Sequence, residues 1–181
     1  MADFELTKTL PYSPERVFAA YRDDLESLSA YLPNIVSIQV TARRAVAPGV
    51  VEQVARWQAV EKGNLPRVVK PFVSAEILVW IDHATWHEAE HTCDWWFEFP
   101  AMPRGVTCEG HNWYEVTGPT SCRLTLTGRL TIDLAAMKGV PRLARGLGPT
   151  VERFVLDRVK PNLETTNQAL EALLADRAGP G

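Results

Sequence analysis

His87-Glu88-Ala89-Glu90-His91 matches letter for letter the H-E-x-x-H pattern that holds zinc in metalloproteases. That chemistry needs a helix, on which both histidines share one face and bind the metal while the glutamate activates a water. The flanks here are Ala84-Thr85-Trp86 and Thr92-Cys93-Asp94-Trp95-Trp96, β-branched and aromatic residues that favour strands. In a strand His87 and His91 would share a face but stand roughly 13 Å apart, too far for one ion. Glu90 also puts a charge where zinc proteases carry an uncharged residue. His83, His87, His91 and Cys93 could form a different ligand set if the strand turns back near Ala84, with Cys108 and His111 on the next strand. No pair among them has the tight C-x-x-C spacing of a zinc site. The expectation is no metal and no cofactor, with the histidines on a partly solvated sheet face. One that faced inward could orient a polar ligand group or act as acid or base near neutral pH.

The aromatic residues form the larger set. Trp57, Trp80, Trp86, Trp95, Trp96, Phe97, Trp113 and Tyr114 all fall on expected strands. Trp95, Phe97 and Phe99 share a phase with Cys93, and this phase is assigned inward. Trp57, Trp95, Phe97, Leu124 and Leu126 then line the interior, with Phe154 and Leu163 from a terminal helix. His91 and Trp113 complete the candidate ligand contacts. Core packing explains such aromatics as readily as ligand contact does. The alternation leaves open whether His111 and Trp113 or Asn112 and Tyr114 point inward. Arg56, Glu109 and Glu115 are strand charges, and one turned inward would need a partner. No residue is assigned a catalytic role, and there is no Gly-rich phosphate loop or G-x-S-x-G elbow.

The elements that must position these residues follow from the pattern. Phe4 to Leu10 reads as a first strand ended by Pro11. Ser13-Pro14-Glu15 starts a helix, with Ser as N-cap and Pro at the first position; Val17, Phe18, Tyr21 and Leu25 carry it towards Ser29. Strands are expected over Ile35–Ala42, Val50–Ala59, Ala75–Asp82, Thr85–Phe99 with a bend near His91, Val106–Val116 and Cys122–Leu134. Leu65–Val73, with two prolines, reads as a loop or short irregular helix. In the last strand Leu124, Leu126, Leu130 and Ile132 share one face and Thr125, Thr127, Arg129 and Thr131 the other, as in a half-buried antiparallel strand. Pro141 and Pro149 punctuate the entry to a long amphipathic helix from Thr150 to Leu174, which Pro161 should kink near Asp157. Residues 178–181 read as a frayed tail.

At 181 residues, with 46% apolar and 23% charged side chains, the chain reads as one domain spanning 1–181. A net charge of −3 without a basic arm argues against nucleic acid. Arg142, Arg145, Arg153, Arg158 and Lys160 read as a solvated surface, with transient attraction to anionic lipid as a minor alternative. No stretch approaches the ~20 apolar residues that span a bilayer, and Met1–Leu6 lacks a signal peptide's apolar core. Three cysteines, an odd number, suggest reduced thiols and a cytoplasmic location.

Strand, helix, about six strands and a long helix, with Ser13-Pro14-Glu15-Arg16-Val17-Phe18 directly after the first strand, resemble the START-like (SRPBCC) helix-grip superfamily. That group includes the birch pollen allergen family, START lipid-transfer domains and polyketide cyclases. Leu65-Pro66, Thr85-Trp86, Gly118–Asp133 and Pro149–Glu152 look closer to a bacterial branch of unassigned function. The resemblance implies an α+β fold, a curved antiparallel sheet of about seven strands around the C-terminal helix, with a deep cavity between them. It does not imply a reaction. The leading expectation is binding or carriage of a hydrophobic small molecule, lipid or polyketide-like. The alternatives are a cyclase or aromatase using a cavity His, Glu or Arg, and an interaction module using exposed tryptophans. Converging ionisable groups inside would favour the enzyme, and a wholly apolar interior the carrier.

Overall fold

The computed structural model describes residues 1–60, 78–136, 146 and 148–178, without the side chains of 154, 155 and 158–162. Seven strands form one sheet: β1 (Ala2–Leu10), β2 (Ile35–Ala47), β3 (Val50–Ala59), β4 (Val79–His87), β5 (Thr92–Glu98), β6 (Val106–Gly118) and β7 (Ser121–Ile132). Their order is β1-β7-β6-β5-β4-β3-β2, antiparallel throughout. Each strand from β2 to β7 thus pairs with its successor, and β1 closes the far edge against β7. Helix α1 (Pro14–Asp23) and a 3₁₀ helix (Leu25–Tyr31) lie between β1 and β2, and α2 (Gly148–Ala178) follows β7. This is the expected α+β architecture.

Inner and outer positions alternate along each strand. In β7, Cys122, Leu124, Leu126, Leu130 and Ile132 are buried. Gly128 keeps the same phase because the ring of Phe4 occupies its side-chain space, 2.4 Å from where a Cβ would stand. Gly110, opposite Gly128, is covered likewise by Trp95. The inner face carries two apolar clusters. One joins Leu10, Phe18, Trp57, Trp86, Tyr114 and Leu124 to Leu170 and Leu174 of α2. The other joins Phe4, Trp95, Leu126 and Leu130 to Leu156. Helix α2 is also tied down by Lys8 to Glu171 (3.3 Å) and by the Tyr31 hydroxyl donating to Asp176 (2.6 Å).

Three expectations need correction. Thr85–Phe99 is not one bent strand but the hairpin of β4 and β5, whose turn is Glu88–His91. His91 takes a left-handed φ of 47°, the role a glycine usually fills. Ser13 stands at the N-cap in extended backbone, but its side chain makes no capping hydrogen bond. The first helix ends at Asp23, and the path to Tyr31 is 3₁₀ because Asp24 leaves the helical region (φ −112°, ψ 18°). Helix α2 is assigned without a break through Pro161 to Ala178, so Ala178 is not part of a tail. The expectations for Leu65–Val73, Pro141, Arg142, Arg145, residues 179–181 and the side chains of Phe154, Arg158 and Lys160 lie outside the described residues.

Candidate functional site

Strand β4 divides the chemistry of the molecule. Its inner phase is Trp80, Asp82, Ala84 and Trp86; its outer phase includes His83, Thr85 and His87. Across the sheet Asp82 pairs with Ala55 of β3 on one side and Phe97 of β5 on the other. Ala55 and Ala84 are the small inner residues beside it, and both are themselves covered. Trp57 is its diagonal neighbour and stacks on Trp80 at 5.6 Å.

Asp82 keeps some solvent contact overall, but its Oδ1 is fully buried and accepts no hydrogen bond among the described residues. Burial pushes its carboxyl up to about 7, against an ordinary value of 3.8. The indole N–H of Trp57, on the carboxylate's side, pulls weakly the other way. That N–H closes no hydrogen bond of good geometry. Three further buried atoms are also without a partner among the described residues: Gln53 Nε2, Trp86 Nε1 and the Tyr114 hydroxyl. Gln53 is anchored through its other end, where Oε1 accepts from Arg43 at 2.9 Å. Trp86 packs edge-on to Phe18 of α1 (5.3 Å) and against Tyr21 (5.8 Å). Natural proteins satisfy nearly all such groups, so a concentration of them on one face asks for an occupant.

Other ionisable groups face the same space. Burial, and then the charges of Asp82 and Cys93, raises the Tyr21 hydroxyl. Burial first, with Cys93 and Tyr21 after it, raises Tyr114 well above its usual range. Cys93 is pushed well up by burial and the nearby carboxylates, and Cys108 to about 12 by burial, Glu109 and Asp82. These phenols and thiols therefore stay protonated at neutral pH, and the thiols are poor nucleophiles. Asp82 alone in this group changes charge near neutrality.

The expected ligand contacts fall in three places. Trp57 and Leu124 lie in the cluster beneath α1. Trp95, Phe97, Leu126 and Leu163 belong to the other cluster. Trp95 donates from Nε1 to the buried Asn112 Oδ1 at 2.9 Å, and Phe97 stacks on it at 4.8 Å. His91 is half-buried in the β4–β5 turn, edge-on to Phe18 at 5.5 Å. Trp113 is on the outer face, 37% exposed and against His111 at 4.2 Å; Asn112 and Tyr114 are the pair that turns inward. Phe154's side chain lies outside the described residues.

The histidines meet carboxylates instead of a metal set. His87 Nε2 and His111 Nδ1 lie 3.0 and 2.6 Å from the two oxygens of Asp94, and His83 stacks on Trp96 (3.8 Å) within 3.3 Å of Glu98. Burial alone would raise Asp94, but the hydrogen bonds from His111 and His87 outweigh it and hold the carboxyl below its usual value. Among the described residues no three His, Cys, Asp or Glu side chains converge as metal ligands. Two open depressions on the outer face, of 520 and 390 Å³, share Glu109 and Gly110.

No protein-family model and no curated protein matches the chain. Solved structures do. A Thermus thermophilus protein, TTHA0849, superposes with a TM-score of 0.71 at 20% identity, covering 98% of this chain and 100% of that one. The Zhui aromatase/cyclase of Streptomyces superposes at 0.70 and 16% identity, covering 99% of each chain. A START superfamily protein of Mycobacterium smegmatis gives 0.58 at 16% identity, covering 96% and 97%. The fold is the START-like helix grip. In this helix grip the long helix covers the β1–β7 side, whereas Asp82 lies on the β3–β4 side, near Tyr21 of α1. No helix among the described residues is long and apolar enough to cross a membrane.

Asp82 was the residue that sequence reasoning missed. Arg56, Glu109 and Glu115 drew attention as strand charges, and all three take the outer phase. The available signal was its alternation with Trp80, Ala84 and Trp86, which puts an acid on a phase otherwise apolar.

Proposed function

We propose that this protein binds a hydrophobic small molecule bearing carbonyl or hydroxyl oxygens, polyketide-like in character, against the inner face of β3, β4 and β6. The observation that carries this reading is the set of five unpartnered buried polar atoms. Gln53 Nε2, Trp57 Nε1, Trp86 Nε1 and the Tyr114 hydroxyl can donate, and Asp82 Oδ1 accepts. An unmade buried hydrogen bond costs about 1–3 kcal/mol. A ligand with several oxygens removes that cost at more than one donor, and a plain hydrocarbon chain removes none. The surrounding rings supply apolar contact, worth about 25 cal/mol per Å² of surface removed from water. This is the usual composition of a small-molecule site: mostly apolar walls with a few placed polar groups.

The test is a titration of the full chain with 2-tetralone, a bicyclic aromatic ketone, followed by tryptophan fluorescence. The expected result is saturable one-to-one quenching, weakened about tenfold by Trp57→Phe, which removes the N–H and keeps a ring. Absence of saturable binding overturns the reading.

A further inference from the structure

We propose that Asp82 is the general base of an enolisation reaction on the bound carbonyl compound, with the Trp57 N–H holding the enolate oxygen. The proposal rests on the binding reading above and adds a reaction to it.

Three observations converge. Asp82 points inward from the middle of β4, with buried Oδ1 accepting from no donor and no cation paired to it among the described residues. A carboxylate stripped of donors and water is a stronger base than one in solution. Next, Trp57 is its diagonal neighbour across the β3–β4 ladder, and its Nε1–H is buried and unpartnered. That is a donor already in place, which need not reorganise when charge develops. Finally, the smallest inner residues, Ala55 and Ala84, flank the carboxylate, so neither its cross-strand nor its same-strand neighbour reaches over it. The titratable groups that face it are Tyr21 from α1, Cys93 from β5 and Cys108 from β6, all held protonated. None of them competes as a base near pH 7.

The step balances with this chain and a ketone alone. Oδ1 of ionised Asp82 takes a proton from the carbon next to the carbonyl. The C–H electron pair becomes the new C=C bond, and the carbonyl π pair moves to oxygen. That oxygen accepts from Trp57 Nε1–H. Return of a proton from the Asp82 carboxyl to carbon restores the ketone. In D₂O the carboxyl exchanges with solvent between turnovers, so the ketone acquires deuterium. On a substrate with a second carbonyl in reach, the same nucleophilic carbon would form a ring bond.

The experiment follows deuterium entry into 2-tetralone at C1 by NMR, with the full-length protein, from pH 5 to 9. The expected result is exchange faster than in buffer alone, rising with pH and levelling above about 7, as ionisation of Asp82 requires. Asp82→Asn should lower the protein-dependent rate at least about 100-fold while binding the ketone within a few-fold of the parent. Trp57→Phe is the second variant and should lower the rate about tenfold or more with the same pH profile. Binding without protein-dependent exchange, or undiminished exchange in Asp82→Asn, overturns this proposal and leaves the binding reading standing. Failure to bind 2-tetralone removes both.

Discussion

The two faces of the one sheet treat polar groups in opposite ways. On the outer face carboxylates and bases are spent on each other: Asp94 takes both His87 and His111, Glu98 takes His83, and Asp3 takes Arg129 at 2.7 Å. On the inner face, one residue away along the same strands, Asp82, Trp57, Trp86, Gln53 and Tyr114 each keep a polar atom unpartnered. Outer groups can fall back on water, so their pairing is worth little and signals little. Inner groups cannot, so an unmade bond there is costly and points to a use. The residue types that look most like chemistry, the histidines, stand on the face where chemistry is already satisfied.

The sharpest break in that contrast comes from pH. The folded protein holds the Asp82 proton up to about 7, whereas the ordinary value is 3.8. Between those values the native state binds more protons than the unfolded chain. The contribution is therefore fully present below about pH 4 and is lost as pH rises through 7. Its ceiling is about 4 kcal/mol, from about three pH units at 1.36 kcal/mol each. Urea unfolding at pH 5 and pH 8 should show Asp82→Asn gaining stability relative to the parent at the higher pH. An unchanged difference between the two proteins would place the carboxylate in water.

Packing on the inner face gives the next effect. Gly110→Ala would set a Cβ 2.1 Å from the Thr127 carbonyl oxygen and 2.2 Å from the Trp95 ring. Overpacking of this kind should cost about 3 kcal/mol in chemical denaturation. Within the same face, satisfied and unsatisfied donors should part company. Trp95→Phe strands the buried Asn112 oxygen and should cost about 1–3 kcal/mol, whereas Tyr114→Phe removes an unpartnered hydroxyl and should be close to neutral. The smallest effect belongs outside. His87→Ala should change stability by less than about 1 kcal/mol and leave tetralone exchange as it is, since Asp94 is largely exposed and retains His111.

Much of this was legible in the sequence because burial has a period. The alternation of Cys122–Ile132 gave β7 its inner and outer faces, and the phase of Trp95 and Phe97 was assigned correctly from Cys93. The β4–β5 turn was not legible. Neither Gly nor Pro marks Glu88–His91, and a histidine occupies the left-handed position. Without that turn, His87 and His91 looked like two points on one strand. The split of β6 into an inward Asn112–Tyr114 pair and an outward His111–Trp113 pair was equally hidden. Both phases carry one aromatic and one polar residue, so alternation alone could not choose. The site itself depends on which donors lack partners. That is a property of three-dimensional neighbours, and no spacing along the chain encodes it.

The central claim, that the inner face selects an oxygen-bearing ligand and does not simply absorb apolar surface, is tested most directly by comparing 2-tetralone with tetralin. Tetralin has the same carbon skeleton without the carbonyl. Calorimetric titration of the full chain with each should give a ketone affinity at least about tenfold tighter, the worth of one buried hydrogen bond. Equal affinities, or tighter binding of the hydrocarbon, would contradict the account.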